Sequence, residues 1–186
     1  MRRVLDVFFS AIGLSVLSPL MIVIYLVGLW DTGAPLFRQI RIGRDQRTFT
    51  LLKFRTMKRD TASVATHLAD VSAITPFGHV LRRTKLDELP QLWNVLKGDM
   101  SLVGPRPCLT NQIDLIAERE AYGVFSVRPG ITGLAQVKGI DMSTPRLLAE
   151  TDAKMINSLT SLNYFKYIFL TVIGKGSGDR IKVKVK

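Results

Sequence analysis

The apolar pattern divides the chain into a membrane-length segment and a mixed remainder. From Val7 to Trp30 no residue is charged; Arg2, Arg3 and Asp6 precede the run and Asp31 follows it. The run suits a helix in a bilayer, and it continues through Tyr25 to Trp30 without the small-residue cleavage site of a secretory signal. Ser18-Pro19 stands at its midpoint. Pro19 has no N–H for the carbonyl of Ser15, so a kink or break is predicted there, with the hydroxyl of Ser15 or Ser18 placed to rescue the freed acceptor. A straight helix of this length reaches roughly 36 Å against about 30 Å of hydrocarbon, and each half reaches only about 18 Å. Two arrangements remain open, a kinked span and a hairpin that enters and leaves by one face. Basic residues on both flanks (Arg2 and Arg3; Arg38, Arg41, Arg44 and Arg47) draw both ends to the cytoplasmic side, which favours the hairpin.

Beyond Asp31 the pattern is that of an α+β domain. Leu36 to Gly43 and Thr48 to Thr56 read as two strands about a Gly43-Arg44-Asp45 turn, with Ile40, Ile42, Phe49 and Leu51 alternating with polar neighbours. Lys58 to Ser72 is polar and weakly periodic, a surface loop. Thr75-Pro76 marks a helix start running toward Thr84, and further short helices are predicted from Pro90 to Leu96, stopped by Gly98, from about Leu109 to Ala121, and from Ser143-Thr144-Pro145 through Met155 and Ile156. Gly104-Pro-Arg-Pro107 and Arg128-Pro-Gly-Ile-Thr-Gly133 are rigid loops. Leu162, Phe165, Tyr167, Ile168, Phe169 and Leu170, interleaved with Lys166, suit either a helix at a membrane surface or a core helix. The tail Ile181 to Lys186 reads as a solvated end. The chain length fits one domain: segment 7–30, a globular part 31–175 and a tail 176–186.

Charge narrows the partners. With 26 Lys plus Arg against 15 Asp plus Glu, the net charge of +11 points to a polyanion: nucleic acid, anionic lipid or a phosphorylated substrate. The interleaved aromatics of single-strand binders are missing, which sets nucleic acid aside. The lone Cys108 reads as a small buried hydrophobe. With His67 and His79 the only histidines and no paired cysteines, a zinc site has no ligand set. There is no nucleophile elbow, Walker loop or dinucleotide fingerprint, so redox and ATPase chemistry drop out.

Chemistry concentrates in Leu81-Arg-Arg-Thr-Lys-Leu-Asp-Glu-Leu-Pro-Gln-Leu-Trp-Asn94. Asp87 and Glu88 precede a predicted helix, near its positive end, and Arg82, Arg83 and Lys85 add positive charge that keeps a carboxylate ionised and suits a diphosphate. An ionised carboxylate beside a phosphoryl group is a magnesium ligand or a nucleophile; the same pair also serves as an ordinary helix cap with solvated basic neighbours. Arg106, between Pro105 and Pro107, is held on a stiff backbone that lowers the entropy lost on gripping phosphate. Arg128 to Gln136 offers backbone N–H groups to an anion or is simply a turn. Lys53 and Arg55 share a strand face whose ordinary reading is solvated.

In order along the chain, Ser18-Pro19, Lys53-Phe-Arg-Thr-Met57, Leu86-Asp-Glu-Leu-Pro-Gln-Leu-Trp-Asn94, Gly98-Asp-Met-Ser101, Gly104-Pro-Arg-Pro107 and Arg128-Pro-Gly-Ile-Thr-Gly133 resemble the bacterial sugar transferase family, the monotopic phosphoglycosyl transferases, in its short form consisting of the catalytic core. The resemblance runs from Arg2 to about Ile173. It implies a re-entrant membrane helix broken at Ser18 and Pro19, interfacial amphipathic helices, and a catalytic part facing the cytoplasm at the bacterial inner membrane. It implies Asp87 as nucleophile on the β-phosphorus of a UDP-sugar, Glu88 as its assistant, and Mg2+ as cofactor with Asp87 a ligand. Lys53, Arg82, Arg106 and Gln136 become candidate substrate contacts. The product would be undecaprenyl-diphosphate-sugar, formed with release of UMP by transfer of a sugar 1-phosphate to undecaprenyl phosphate. Likeness to O-antigen-initiating members implies an N-acetylated amino sugar. The competing reading is a non-catalytic, membrane-anchored basic module that binds anionic lipid or nucleic acid; it leaves an acidic pair among arginines unexplained. Oligomeric state is not legible.

Overall fold

The computed structural model describes residues 2–61 and 70–175; His67, most of the Lys58 to Ser72 loop and the tail 176–186 lie outside them. Helix α1 (Arg2–Thr32) carries Pro19 in its interior. The expected interruption takes the form of a lost hydrogen bond within one continuous helix rather than an end between two. The Ser15 carbonyl that Pro19 leaves without its N–H accepts the Ser18 hydroxyl at 2.8 Å. One stripe of α1 turns inward along its whole length, at Asp6, Ser10, Gly13, Leu17, Met21, Ile24 and Gly28, in steps of three and four. The rest is exposed and apolar, including Phe8, Val16, Ile22, Val23, Leu26 and Trp30.

Both ends of α1 are tied to the same globular part. Arg3 donates to the carbonyls of Val95 (2.6 Å) and Leu96 (2.9 Å) at the end of a short helix. Asp6, buried, accepts from the Ser101 hydroxyl (2.9 Å), the Leu102 N–H (2.9 Å) and the Tyr164 hydroxyl (2.8 Å). At the other end the Thr75 hydroxyl donates to Asp31 at 2.7 Å, and Gly28 lies so close to Pro35 that a Cβ there would stand 2.8 Å from the proline ring. Burial, and then the hydrogen bond to the Asp6 carboxylate, push the Tyr164 phenol far above its usual range.

Strands β1 (Leu36–Ile42) and β2 (Thr48–Phe54) form the predicted antiparallel hairpin, with Leu36 opposite Phe54 and Ile42 opposite Thr48. The alternation of β1 is not as expected: Ile40 points out, 52% exposed, while Gln39 and Arg41 are buried. Arg41 reverses the pattern because its guanidinium is satisfied inside, by Gln39 Oε1 and by the Pro107 carbonyl. The free edge of β2 is covered by one side chain. Asn94 accepts from the Leu52 N–H (3.0 Å) and donates to the Thr50 carbonyl (2.7 Å), as a third strand would.

Helix α2 (Pro76–Thr84) starts as predicted, with the Thr75 hydroxyl accepting from the Gly78 N–H. Helix α3 (Gln91–Lys97) ends at Gly98, whose φ of 100° is the left-handed cap glycine favours. The two loops expected to be irregular meet as a short parallel pair, β3 (Ser101–Val103) with β4 (Gly130–Thr132). Gly104 and Gly130 allow it: a Cβ on Gly130 would fall 2.0 Å from the Gly104 nitrogen. Helix α4 (Ile113–Ala121) begins later than predicted because the Gln112 side chain takes the Leu109 N–H. It is followed by α5 (Leu134–Val137), α6 (Pro145–Ser158) and α7 (Ser161–Val172). Core residues Leu51, Val95, Met100, Leu102, Val103, Met155, Tyr164 and Tyr167 gather between these elements, and Cys108 is fully buried as expected. α7 has two faces: Tyr164 and Tyr167 point to the core, while Leu162, Phe165, Phe169 and Val172 are exposed. The Phe165 ring meets Phe9 of α1 edge-on at 5.8 Å, joining the two apolar faces.

The Asp6 hub has a measurable consequence. Asp6→Ala strands three donors and is expected to cost about 2–4 kcal/mol, whereas Tyr164→Phe removes one neutral donor and should cost about 1 kcal/mol. Thermal denaturation in detergent reads both. A Tyr164→Phe loss exceeding that of Asp6→Ala would show that α1 is not held through this carboxylate.

Candidate active site

Between α2 and α3 the chain makes a single 3-10 turn, Leu86–Glu88, entered through Lys85 in the left-handed region (φ 59°). Leu86 and Leu89 pack with Ile24, Phe54 and Leu81, and this apolar footing fixes the turn against β2 and α1. The residues between them are sunk into the protein: Asp87 is 2% exposed and Glu88 6%. Glu88 is gripped from across the site by Arg106, Nη2 to Oε1 at 3.0 Å, so the carboxyl group is held below the surface by a guanidinium.

The basic candidates separate once they are placed. Arg82 is buried in the last turn of α2, and its Nε donates to the Thr56 hydroxyl at 2.8 Å, just past β2. Arg83 faces solvent, and Lys85 donates to the Lys175 carbonyl at 2.7 Å. Lys53 and Arg55 are not a solvated face. Lys53 is buried with its ammonium 5.6 Å from the centre of the Phe37 ring; Arg55 lies at 5.3 Å from that ring and donates to the Ala34 carbonyl. Burial, then the nearby Arg59, lower the Arg55 pKa. Since β2 packs on the Leu86–Glu88 turn, Lys53, Arg82 and Arg106 belong to three elements surrounding the dyad. Gln136 Nε2 donates to the Ile131 carbonyl at 2.8 Å and braces its own loop, in a helix packed on α6 and α7.

Two buried guanidiniums behind the site went unread in the sequence. Arg119 of α4 donates to the Arg106 carbonyl at 2.7 Å and pairs with Asp152 of α6 at 2.7 Å. Arg41 of β1 donates to the Pro107 carbonyl at 3.0 Å. Arg119 stands between Glu118 and Glu120, which suggests a solvated helix face; the signal against that was its position one turn after Leu115, on the buried side. Burial pushes the Asp152 carboxyl up, opposed by Arg119.

Among the described residues no three His, Cys, Asp or Glu side chains come together as a metal cage. Two adjacent carboxylates among guanidiniums fit instead a cation that takes most of its oxygens from bound phosphates and water, the habit of Mg2+. Chemically the arrangement suits a phosphorylated anion brought against a buried carboxylate, at the edge of an apolar helix.

Comparison with known proteins points to one family. The family model for bacterial sugar transferases matches residues 1–175. A UDP-glucose:undecaprenyl-phosphate glucose-1-phosphate transferase of Caulobacter vibrioides is 40% identical over 163 residues, covering 81% of this chain and 61% of the relative. A UDP-N-acetylgalactosamine-undecaprenyl-phosphate N-acetylgalactosaminephosphotransferase of Aeromonas hydrophila is 35% identical, covering 95% of this chain and 44% of the relative. An exopolysaccharide production protein of Rhizobium leguminosarum is 36% identical over 94% of both. The chain thus spans less than two thirds of several relatives, 35% of an uncharacterized sugar transferase of Haemophilus influenzae among them.

The Glu88–Arg106 pair can be tested by itself. Arg106→Met leaves a buried carboxylate without its guanidinium and is expected to lower stability by about 1–3 kcal/mol. Adding Glu88→Gln should return part of that loss, because a neutral amide is cheaper to bury. Thermal midpoints of the four proteins give the coupling; strictly additive effects would mean the two side chains do not depend on one another.

Proposed function

The chain belongs to the bacterial sugar transferase family, and from that membership together with the buried dyad we propose that it transfers a sugar 1-phosphate from a UDP-sugar to undecaprenyl phosphate. The observation that carries the reading is Asp87 and Glu88 below the surface, with Glu88 held by Arg106 and Arg82 in the preceding helix. In the first step an Asp87 carboxylate oxygen attacks the β-phosphorus. The bond from that phosphorus to the bridging oxygen breaks, and UMP leaves with the electron pair. In the second step an oxygen of undecaprenyl phosphate attacks the phosphorus of the acyl phosphate; its bond to Asp87 breaks, the carboxylate is restored and undecaprenyl-diphosphate-sugar departs. Dividing the displacement lets two bulky anions use one site in turn.

The chain's own residues supply the electrostatics. Lys53, Arg82 and Arg106 offset the charge on the transferring phosphoryl oxygens, and Arg106 orients Glu88 beside Asp87. Asp87 would help hold a Mg2+ ion, which would supply further neutralisation of phosphate charge. The sugar we propose is an N-acetylated amino sugar, as in the name of the Aeromonas hydrophila relative, while other relatives are named for glucose and galactose.

Membrane attachment follows from α1. Its two ends bind one globular part, so both lie on that part's side of a bilayer, and its exposed apolar face together with that of α7 is left for lipid. We place that side in the cytoplasm, at the inner membrane, where nucleotide sugars are made and the basic flanks are retained.

Two outcomes are expected. Given labelled UDP-sugar and Mg2+ without lipid acceptor, the purified protein should release UMP in near-stoichiometric amount and retain phosphosugar on Asp87. Asp87→Asn should form no adduct and turn over several orders of magnitude more slowly, and a chelator should suppress both steps. An adduct on the asparagine variant would rule out Asp87 as nucleophile, and UMP release only with acceptor present would favour direct transfer. In intact cells, cysteines placed at either end of α1 should both resist an impermeant thiol reagent added from outside; labelling of one end alone would make α1 a span. A protein that binds anionic vesicles but cleaves no UDP-sugar would restore the basic-module reading.

A further inference from the structure

Three consecutive carbonyls in the loop that carries Arg106 are each held by a donor from outside it, one on α4 and two on β1. The Arg106 carbonyl takes Arg119 Nη1 at 2.7 Å, the Pro107 carbonyl takes Arg41 Nη1 at 3.0 Å, and the Cys108 carbonyl takes the Ile42 N–H at 3.0 Å. Neither guanidinium is near solvent. The side chains of Arg119 and Asp152 are both 2% exposed, and Arg41 is buried against Gln39. A buried ion pair is poor value as a stabilising device, because desolvation consumes most of its Coulomb gain and well-packed apolar residues often serve as well. What an apolar pair cannot do is fix a carbonyl oxygen in place. Arg119 does that with one arm while Asp152 on α6 sets the plane of the guanidinium through another.

The carbonyl so fixed belongs to the residue whose side chain reaches Glu88 at 3.0 Å. A chain of contacts therefore runs from Asp152 through Arg119 to the Arg106 backbone, and from the Arg106 side chain to the dyad. We propose that Arg119, oriented by Asp152, is a positioning residue for the phosphosugar transfer: it locks the backbone from which Arg106 aims Glu88, and touches neither substrate nor reacting atoms. Arg41 braces the next carbonyl from the hairpin side. This rests on the transferase reading given above.

Lysine is the informative replacement. Its single ammonium keeps the charge beside Asp152 but lacks the planar fork that serves Asp152 and the Arg106 carbonyl together. In the full-length protein in detergent, Arg119→Lys is expected to lower kcat for UMP release roughly 10- to 100-fold, the scale of a misaligned catalytic group. Donor KM should change less than about threefold, since a uniform binding contact is not what is lost. In an Arg106→Gln background, read with radiolabelled donor, Arg119→Lys should add almost nothing, because the group it positions is gone. Leu115→Ala, which empties a buried site on the same face of α4, serves as the structural control and should lower the thermal midpoint while leaving kcat of the folded protein within about twofold. Equal losses from Arg119→Lys in both backgrounds, or a well-folded Arg119→Lys protein with wild-type kcat, would overturn the proposal. Should Arg119→Lys not fold, Asp152→Asn carries the same comparison. Were the wild type to release no UMP from any UDP-sugar, the transferase reading would fail by itself, and the coupling of positions 119 and 106 would still be read from the thermal midpoints.

Discussion

A charge cannot be buried at the root of an apolar helix unless the protein surrounds it, and Asp6 is such a charge. Its carboxylate takes donors from the residues at the start of β3 and from α7, so the beginning of α1, the parallel strand pair and the last helix are mutually fixed. Arg3 adds the end of α3 to the same corner. The stripe of small and apolar residues that follows in α1 is then bound to run across the globular part, where Leu92 approaches Gly13 and Ile24 joins Phe54 and Leu81. The dyad turn rests on that last cluster. Membrane attachment and active-site geometry are therefore one packing problem: the surface that seats the helix also supports the turn carrying Asp87 and Glu88.

On the far side of the dyad the material changes from apolar contact to guanidinium and carbonyl. Arg106 cannot reach Glu88 from a loop that wanders, and proline on both sides restricts only φ. The remaining freedom is taken up by the strand pairing of β3 with β4 beneath the loop and by Arg119 and Arg41 holding successive carbonyls. One carboxylate is placed by hydrophobic footing and its partner by buried cations. That division lets a polar site sit beside a helix whose outer face is exposed and apolar.

The parts of this arrangement legible in the sequence were those with local causes. Pro19 and Ser18, the Thr75-Pro76 cap, Gly98 as a stop and the hairpin about Gly43 each follow from the chemistry of adjacent residues, and each is found within a few positions of where it was expected. The acidic pair among arginines was legible as a candidate site chiefly through the family resemblance, since by itself it also reads as a helix cap with solvated basic neighbours. What escaped were residues whose partners are remote. Asp6 read as a flanking charge, although its three donors lie some 95 to 158 positions away. Ile40 read as a core position because strand alternation cannot foresee that Arg41 finds a carbonyl in another loop. Lys53 read as solvated for the same reason, since the Phe37 ring that covers it is on the neighbouring strand.

The exposed aromatic faces of α1 and α7 complete the argument about orientation. Phe9 and Phe165 touch, so the two helices present one continuous apolar surface rather than two separate ones. Trp30, 93% exposed at the far end of α1, extends that surface, and an indole at such a position suits the boundary between lipid and water. On the transferase reading proposed above, the hydrocarbon of a lipid phosphate would lie along this apolar surface, and a nucleotide sugar would approach from the aqueous side. On the same reading, the plane that separates the two solvents would also separate the two substrates, and a nucleophile at Asp87 would serve each in succession without either leaving its own phase.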